Sequence, residues 1–330
     1  MDGRPVLVCT EYEDATADLV IAELNRRRVP VLRFDPGRDC PSPLVLAARI
    51  GVGGTAASRT RSGGGWGGRL TDGARAADLS TVRALYHRRP SPYPTNSGEQ
   101  AARFAAQENR RGLGGVLGAL PGCLYLSHPQ AIARAEYKPA QLDAAIRAGL
   151  TVPATLITND PGEAKQFCSE QPTVYKPLHA GAYEVEGEPA GIWAAPVEAV
   201  EIDGAVSHSA HLFQAQVPKV ADVRAVVVGE QVFVARITAP PGVVDWRAEY
   251  QSLTYAPIAC PEEMRGALVQ FLDGFGLKFG AFDFAVTADG AWWFLECNPN
   301  GQWAWLEDAA GLPLTRAIAD LLENGVSQHE

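Results

Sequence analysis

The segment FGAFDFAVTADGAWWFLECNPNG, residues 279–301, constrains the fold more than any other part of the chain. Two β-type runs flank Asp289-Gly290, a dipeptide typical of tight hairpin turns. A two-residue turn at this point would pair Ala288 with Ala291. The sequence therefore predicts an antiparallel hairpin whose register is set by its turn.

Counted outward from that turn, Asp283 stands directly opposite Glu296 on one face of the hairpin. Like charges in this position destabilise a sheet unless a cation lies between them. Asn298 follows two residues after Glu296 and projects from the same face. Three oxygen donors without His or Cys favour magnesium or manganese over zinc. We therefore predict a metal site formed by Asp283, Glu296 and Asn298, the alternative being two unrelated strand acids.

Metal sites of this type accompany phosphoryl chemistry, so cations for a triphosphate are also expected. Lys176 lies in the strand-like TVYKP, just before HAGAYEVEGEPAG, residues 179–191, a Gly-containing loop that could close over phosphate. Lys138 opens a predicted helix that ends near Ala148. A lone lysine on a strand is more often a solvated edge residue, so neither lysine is decisive by itself.

Two arginines, Arg224 and Arg236, lie on the hairpin that precedes the metal strands. A two-residue turn would place them on opposite faces, whereas a three-residue turn at residues 229–231 would align them. The sequence leaves both arrangements open.

The N-terminal segment alternates strand, helix and strand over residues 5–9, 15–28 and 29–34, which predicts a βαβ opening. Its first strand-to-helix turn reads TEYEDA and lacks the glycines of a dinucleotide site. The Gly- and Arg-rich residues 49–70 lack the GKS or GKT ending of a P-loop and predict exposed strands around a structural loop. A helix after TNDPGEA should be capped by Asn159 or Asp160.

Length and charge exclude several classes of protein. A chain of 330 residues is about twice the usual length of about 150 residues per domain, which predicts two or three compact domains. The net charge of -9 argues against nucleic acid or anionic membranes as partners, and no apolar run approaches membrane-spanning length, so a cytoplasmic location is expected. Six scattered cysteines contain no CxxC pair, and the six histidines form no recognisable catalytic triad.

Together these segments resemble the ATP-grasp superfamily over roughly residues 125–325, and within it the ATP-grasp ribosomal peptide maturases, the graspetide or microviridin-type ligases. The resemblance is carried by KPAQLDAAIRAGLTVPATLIT, VYKP, LFQAQVPKVADVRAVVVGEQVFVARI and FLECNPNGQWAWLEDAAGLPLTRAIADLL. YHRRPSPYP is similar to the RRP segment of their pre-ATP-grasp domain. The resemblance implies an α/β (α+β) fold with an N-terminal pre-ATP-grasp domain (1–124), a central domain (125–214) and a C-terminal domain (215–330).

The resemblance also implies site residues, with ATP held between the central and C-terminal units. The implied set comprises two nucleotide lysines, Lys138 and Lys176; a hinge that meets adenine, Gln214, Ala215 and Val217; arginines near the transferred phosphate, Arg224 and Arg236; and the metal ligands Asp283, Glu296 and Asn298. Small-molecule relatives often carry Arg-Asn-Leu and glycines after the second hairpin. The segment DWRAEYQSLTY keeps Arg247 as a further catalytic candidate but lacks the Asn and the glycines, which disfavours ligation of the glutathione type.

The implied function is an ADP-forming carboxylate-amine/alcohol ligase that uses ATP and Mg²⁺, or Mn²⁺. Its partner would be a precursor peptide with a leader and a core containing Thr, Ser or Lys together with Asp or Glu. Side-chain carboxylates activated as acyl phosphates would close macrolactones or macrolactams. Two alternatives remain: a ligase for small amino acids or a protein terminus, and a nucleotide-binding regulatory protein without turnover. If the chain associates, a homodimer is expected.

Overall fold

The structure is a computed structural model that describes residues 3–40, 42–51, 66–93, 98–179, 183–185, 187–240 and 242–324. Short 3₁₀ helices cover Ala199–Glu201, Gly204–His208 and Trp246–Ser252. The helices are α1 (Ala15–Arg26), α2 (Pro36–Asp39), α3 (Gln100–Leu117), α4 (Pro129–Ala135), α5 (Lys138–Arg147), α6 (Pro161–Glu170), α7 (Glu262–Phe275), α8 (Ala304–Ala310) and α9 (Leu314–Asn324). The strands are β1 (Val6–Cys9), β2 (Val31–Phe34), β3 (Val45–Ile50), β4 (Trp66–Thr71), β5 (Ala76–Asp78), β6 (Ala84–His87), β7 (Leu124–Tyr125), β8 (Thr155–Thr158), β9 (Thr173–Lys176), β10 (Tyr183–Val185), β11 (Glu188–Ala190), β12 (Ala195–Val197), β13 (His211–Ala215), β14 (Lys219–Val228), β15 (Gln231–Thr238), β16 (Thr254–Ile258), β17 (Phe279–Thr287) and β18 (Trp292–Asn298).

The N-terminal sheet is parallel and has the strand order β2-β1-β6-β7. Its βαβ opening is as predicted, because the apolar β1 is followed by α1, whose first turn is capped by the Asp14 carboxylate accepting from Ala17 N at 3.2 Å. A separate antiparallel sheet, β3-β4-β5, borders the Gly- and Arg-rich segment. Residues 52–65 lie outside the described residues, so the structural loop expected there stays a prediction.

The central sheet is antiparallel, with the order β12-β9-β13-β8. The helix α6 packs against it, and of the two predicted caps it is Asp160 that accepts from Gly162 N at 2.7 Å. Gln214 on β13 pairs with Val174 on β9, two residues before Lys176. This sheet therefore brings a candidate hinge residue beside a candidate nucleotide lysine.

The C-terminal sheet has five antiparallel strands in the order β16-β15-β14-β17-β18. One face packs against α7 together with α4 and α5, and the other contributes to a core shared with α1, α8, α9 and the N-terminal sheet. These cores cross the predicted boundaries at residues 124 and 214, so the three-domain division stays a prediction about the chain's organisation.

The hairpin β17–β18 differs from the predicted two-residue turn. Thr287 N donates to Ala291 O at 3.0 Å, which closes a three-residue loop with Gly290 at φ +85°. The register then shifts by one residue at Leu295, which is an extra residue on β18. Because this bulge compensates for the longer loop, Asp283 pairs with Glu296 as predicted.

The hairpin β14–β15 has the two-residue turn of the two alternatives, since Val228 pairs with Gln231. Arg224 therefore pairs with Ala235, and Arg236 pairs with Val223 on the opposite face. No helix in the described ranges is both long and apolar enough to cross a membrane.

Candidate active site

Three charged residues occupy paired positions on three neighbouring strands of the C-terminal sheet. Arg224 on β14 pairs with Asp283 on β17, which pairs in turn with Glu296 on β18. All three are buried, at 5%, 5% and 8% exposure. Asn298 Nδ2 donates to Asp283 Oδ2 at 3.3 Å, while Asp283 Oδ1 is buried and has no hydrogen-bond partner in the described part of the chain.

Each of the two carboxylates forms ion pairs with cations of the protein. Arg224 Nη1 lies 2.7 Å from Asp283 Oδ2, and Arg247 Nη1 lies 3.0 Å from Glu296 Oε1. Lys138, the first residue of α5, donates to Glu296 Oε2. Burial opposes ionisation of Glu296, but Lys138 and Arg247 outweigh it and hold the pKa of its carboxyl well below the usual range. Burial raises the pKa of Asp283, against the opposing charge of Arg224.

Lys176 differs from the other cations of this group because, among the described residues, it forms no ion pair with a carboxylate. Its ammonium donates to Gln214 Oε1 at 2.9 Å, and Gln214 Nε2 donates to Thr155 Oγ1 at 2.9 Å. Burial lowers the pKa of Lys176 to about 8, although the nearby Glu296 carboxylate acts in the opposite direction. An ammonium in this setting is available to an anionic ligand.

Arg247 is fixed by a carboxylate that sequence reasoning missed. Asp245 accepts from Arg247 Nε and Nη2, both at 2.9 Å, and its Oδ1 also accepts from Arg247 N at 3.1 Å. The guanidinium lies over the ring of Trp193, 5.8 Å from its centroid. The sequence did contain a signal for this contact: Asp245 stands two positions before Arg247 in DWR, and short polar side chains often hydrogen-bond the backbone two residues further on.

A cleft of about 670 Å³ adjoins these residues and is lined from both the central and the C-terminal sheets. Its volume is in the range of small-molecule sites. The segment Gln214–Val217 forms part of the wall, and the charged lining includes Lys176, Arg247, Asp283 and Glu296. Apolar side chains such as Val174 complete the cleft.

The structure thus brings nearly all the predicted site residues to one region: Lys138, Lys176, Gln214, Ala215, Val217, Arg224, Arg247, Asp283, Glu296 and Asn298. It does not bring Arg236 there, because that side chain is exposed on the opposite sheet face. Of the predicted phosphate loop, residues 180–182 and 186 lie outside the described residues.

The donor set fits a hard divalent cation. Within the described ranges no group of three or more His, Cys, Asp or Glu side chains is arranged to hold a metal, so the candidate site consists of two carboxylates and an amide. The unpartnered Asp283 Oδ1 is free to accept a cation. At Glu296, Lys138 and Arg247 occupy both oxygens, so a metal ion would share or displace those contacts.

No family model and no curated protein matches this chain. Solved structures do. The chain is similar to the macrocyclase MdnC from Microcystis aeruginosa, solved with its precursor peptide MdnA, at 28% identity and a TM-score of 0.81, over 98% of this chain and 100% of that one. It is similar to the macrocyclase MdnB of the same organism at 26% identity and a TM-score of 0.76, over 97% and 99% of the chains.

A third structure supports the fold alone: a RiPP-associated ATP-grasp ligase from Chryseobacterium gregarium, solved with ADP and a leader and core peptide. It is 23% identical, with a TM-score of 0.84 over 98% of both chains. The chain therefore has the fold of an ATP-grasp ligase. The predicted resemblance to the ATP-grasp ligases that mature ribosomal peptides is confirmed by the similarity to the two macrocyclases.

Proposed function

We propose that this enzyme uses ATP to activate Asp or Glu side chains of a ribosomal precursor peptide and closes ester or amide cross-links within it. The observation that carries the proposal is the row Arg224–Asp283–Glu296, flanked by Lys138 and Arg247, at the wall of a nucleotide-sized cleft. The end-to-end similarity to macrocyclases, one of them solved with its precursor peptide, supports a peptide as the substrate.

The nucleotide would lie in the cleft between the central and C-terminal sheets. Gln214, Ala215 and Val217 would contact adenine, and Lys176 with Lys138 would contact the phosphates. The lowered pKa of Lys176 reflects an ammonium withdrawn from water whose hydrogen-bond partner among the described residues is the neutral Gln214, and a phosphate would compensate that loss of solvation.

Asp283, Glu296 and Asn298 would hold Mg²⁺, or Mn²⁺, at the phosphate end of the cleft. When bound, the ion would neutralise charge on the phosphates during transfer. Arg224 and Arg247 are fixed by Asp283 and Asp245, so they are preorganised to stabilise negative charge that develops beside the carboxylates.

The reaction would proceed in two displacements. A peptide carboxylate oxygen attacks the γ-phosphorus of ATP, and ADP leaves. A Thr or Ser hydroxyl, or a Lys amine, then attacks the acyl carbon and loses its proton as phosphate departs. No covalent enzyme nucleophile is required, because positioning and electrostatics supply the acceleration. The ester or amide outcome depends on the peptide, and the homodimer and the cytoplasmic location stay predictions.

Intact-mass analysis of a candidate precursor peptide tests the proposal. After incubation with the protein, ATP and Mg²⁺, each cross-link should remove the mass of one water, about 18 Da. Reactions without ATP, and a peptide whose core Asp and Glu are replaced by Asn and Gln, should show no loss. ADP release driven by free amino acids with an unchanged peptide mass would instead indicate a small-molecule ligase. Nucleotide binding without turnover for either substrate would indicate a regulatory protein.

A further inference from the structure

A buried arginine of the N-terminal sheet, Arg88, belongs to a polar network that reaches the candidate metal site. Arg88 follows β6 directly and is 2% exposed. Its Nε lies 2.7 Å from Asp14 Oδ2, and Thr10 Oγ1 donates to the same oxygen at 2.8 Å. Because Asp14 also caps α1, this end of the guanidinium is anchored to the N-terminal sheet and its first helix.

The other end of the guanidinium contacts the turn that leaves β18. Arg88 Nη1 donates to Gly301 O at 3.3 Å, and Nη2 donates to Gln302 Oε1 at 2.5 Å. On the far side of the same turn, Arg224 Nη2 donates to Gln302 O at 3.1 Å, while its Nη1 contacts Asp283 at 2.7 Å. The Gly301-Gln302 turn is therefore held between two buried arginines, one from each sheet.

The turn is packed too tightly against the site to move independently of it. A Cβ atom on Gly301 would lie 2.7 Å from Ala281 Cβ, 2.8 Å from Arg224 Nη2 and 3.0 Å from Asn298 Cβ. Gly301 N also donates to Asn298 O at 3.1 Å. A displacement of this turn would therefore be transmitted to both Arg224 and Asn298.

We propose that Arg88 is a positioning residue for the reaction centre: it fixes the Gly301-Gln302 turn and, through it, the orientation of Arg224 toward Asp283. This inference rests on the proposed function, because it assumes that Asp283 takes part in metal and phosphate binding. On this inference, the RRP segment of residues 88–90, which follows a strand of the N-terminal sheet, helps to align the candidate metal site on the C-terminal sheet. Positioning the turn requires a guanidinium, because its three nitrogens contact Asp14, Gly301 and Gln302 at the same time. The single ammonium of a lysine cannot reach all three.

Two variants separate positioning from simple charge pairing. Arg88→Lys keeps a positive charge beside Asp14 but loses the contacts to the turn. Gln302→Ala keeps Arg88 and removes the side-chain acceptor of Arg88 and of Thr16 Oγ1, at an exposed position where substitutions usually cost little stability. The matched control is Arg83→Lys, because Arg83 is a buried arginine that directly precedes β6. It donates to Arg4 O and, in the C-terminal part of the chain, to Glu323 O.

Four quantities should be measured for each variant: the Mg²⁺ concentration that half-saturates ADP binding, kcat for the peptide, KM for the peptide, and Tm. Partners that orient metal ligands typically change affinity or activity by about 10- to 100-fold. We expect Arg88→Lys to raise the half-saturating Mg²⁺ or lower kcat by that factor, with peptide KM and metal-free ADP binding unchanged. Gln302→Ala should show a smaller change in the same direction, and Arg83→Lys should change Tm alone.

Wild-type values of kcat and half-saturating Mg²⁺ in Arg88→Lys and Gln302→Ala would overturn the inference while leaving the proposed function intact. Equal losses in Arg88→Lys and Arg83→Lys would also overturn it, because the arginine would then be only structural. If Arg88→Lys does not fold, the kinetics of Gln302→Ala decide. A wild-type protein without Mg²⁺-dependent ADP binding would overturn both the inference and the proposed function.

Discussion

Glu296→Gln is the most informative substitution at the candidate site. The amide has nearly the same shape as the carboxylate and keeps an oxygen that can accept a hydrogen bond, but it removes one negative charge. Lys138 and Arg247 both contact Glu296 in the wild-type protein. The variant therefore weakens two ion pairs and one candidate metal ligand at once.

The exposure of Lys138 and Arg247 sets an upper limit on the free energy of unfolding that Glu296→Gln should lose. Removing one partner of a fully buried ion pair costs about 3–5 kcal/mol. Here the cost is smaller, because the side chains of Lys138 and Arg247 are 20% and 33% exposed and Arg247 keeps Asp245. Loss of a charged hydrogen-bond partner in such a setting costs about 1–3 kcal/mol, against a total of about 5–15 kcal/mol for a native domain. The variant should therefore fold, with a Tm lower by a few degrees.

The effect on turnover should be much larger. Removing one preorganised group that stabilises the transition state typically costs about 10²- to 10³-fold in kcat. We expect a loss of at least this size in peptide dehydration and in peptide-dependent ADP release, measured beside thermal unfolding. Glu23→Gln is the control, because Glu23 also joins two cations, Arg26 and Arg27, at the surface of α1. It should keep wild-type kcat.

Either of two results would refute this reasoning. Wild-type kcat in Glu296→Gln, with the usual Mg²⁺ dependence, would remove Glu296 from the metal site. A Tm decrease as large as that expected for a fully buried pair, with kcat changed only in proportion to the unfolded fraction, would show that Glu296 is structural.

Two further predictions concern charge near the cleft. Since burial lowers the pKa of Lys176 to about 8, its ammonium loses the proton as pH rises through that value, so ADP affinity should fall above about pH 8 and be stronger below it. Lys176→Arg should flatten this dependence in binding titrations across the range, because a guanidinium stays charged, and an equally steep decline in the variant would assign the titration to another group. Arg236→Ala should leave kcat and KM for the peptide unchanged within about twofold, because the side chain is exposed on the sheet face away from the cleft. A hundredfold loss in a folded Arg236→Ala protein would contradict that placement.

For the hairpin β17–β18, the sequence predicted the pairing of Asp283 with Glu296 correctly but the length of the loop wrongly. The Asp289-Gly290 signal located the hairpin, but the loop contains three residues, and the bulge at Leu295 restores the register of Asp283 and Glu296. The sequence could not distinguish a two-residue loop from a three-residue loop followed by a bulge. The extra loop residue and the bulge each shift the register by one residue, so both arrangements pair Asp283 with Glu296. At Gly229-Glu230 the same ambiguity was visible in the sequence, and the two-residue turn resolved it.

The contacts that neutralise the site had no comparable signal. Lys138 is 158 positions from Glu296, and Arg88 is 214 positions from Gln302. Hydrophobic periodicity places helices and strands, but polar side chains that meet across different sheets follow no period. The lysines and the metal ligands could therefore be proposed one by one, whereas the ion pairs that connect them became visible only in the folded chain.

The packing of α9 has a consequence for how this protein is made. Leu314 and Ile318 belong to the same core as Val6 and Val20, and Arg27 at the end of α1 pairs with Asp320. β1 and α1 leave the ribosome long before α9, so the part of their apolar surface that α9 covers stays open until α9 has been synthesised. At about 5–20 residues per second, that interval lasts on the order of tens of seconds. During this time the nascent N-terminal segment is a natural client for chaperones, and C-terminal truncations that remove α9 should accumulate as insoluble chains.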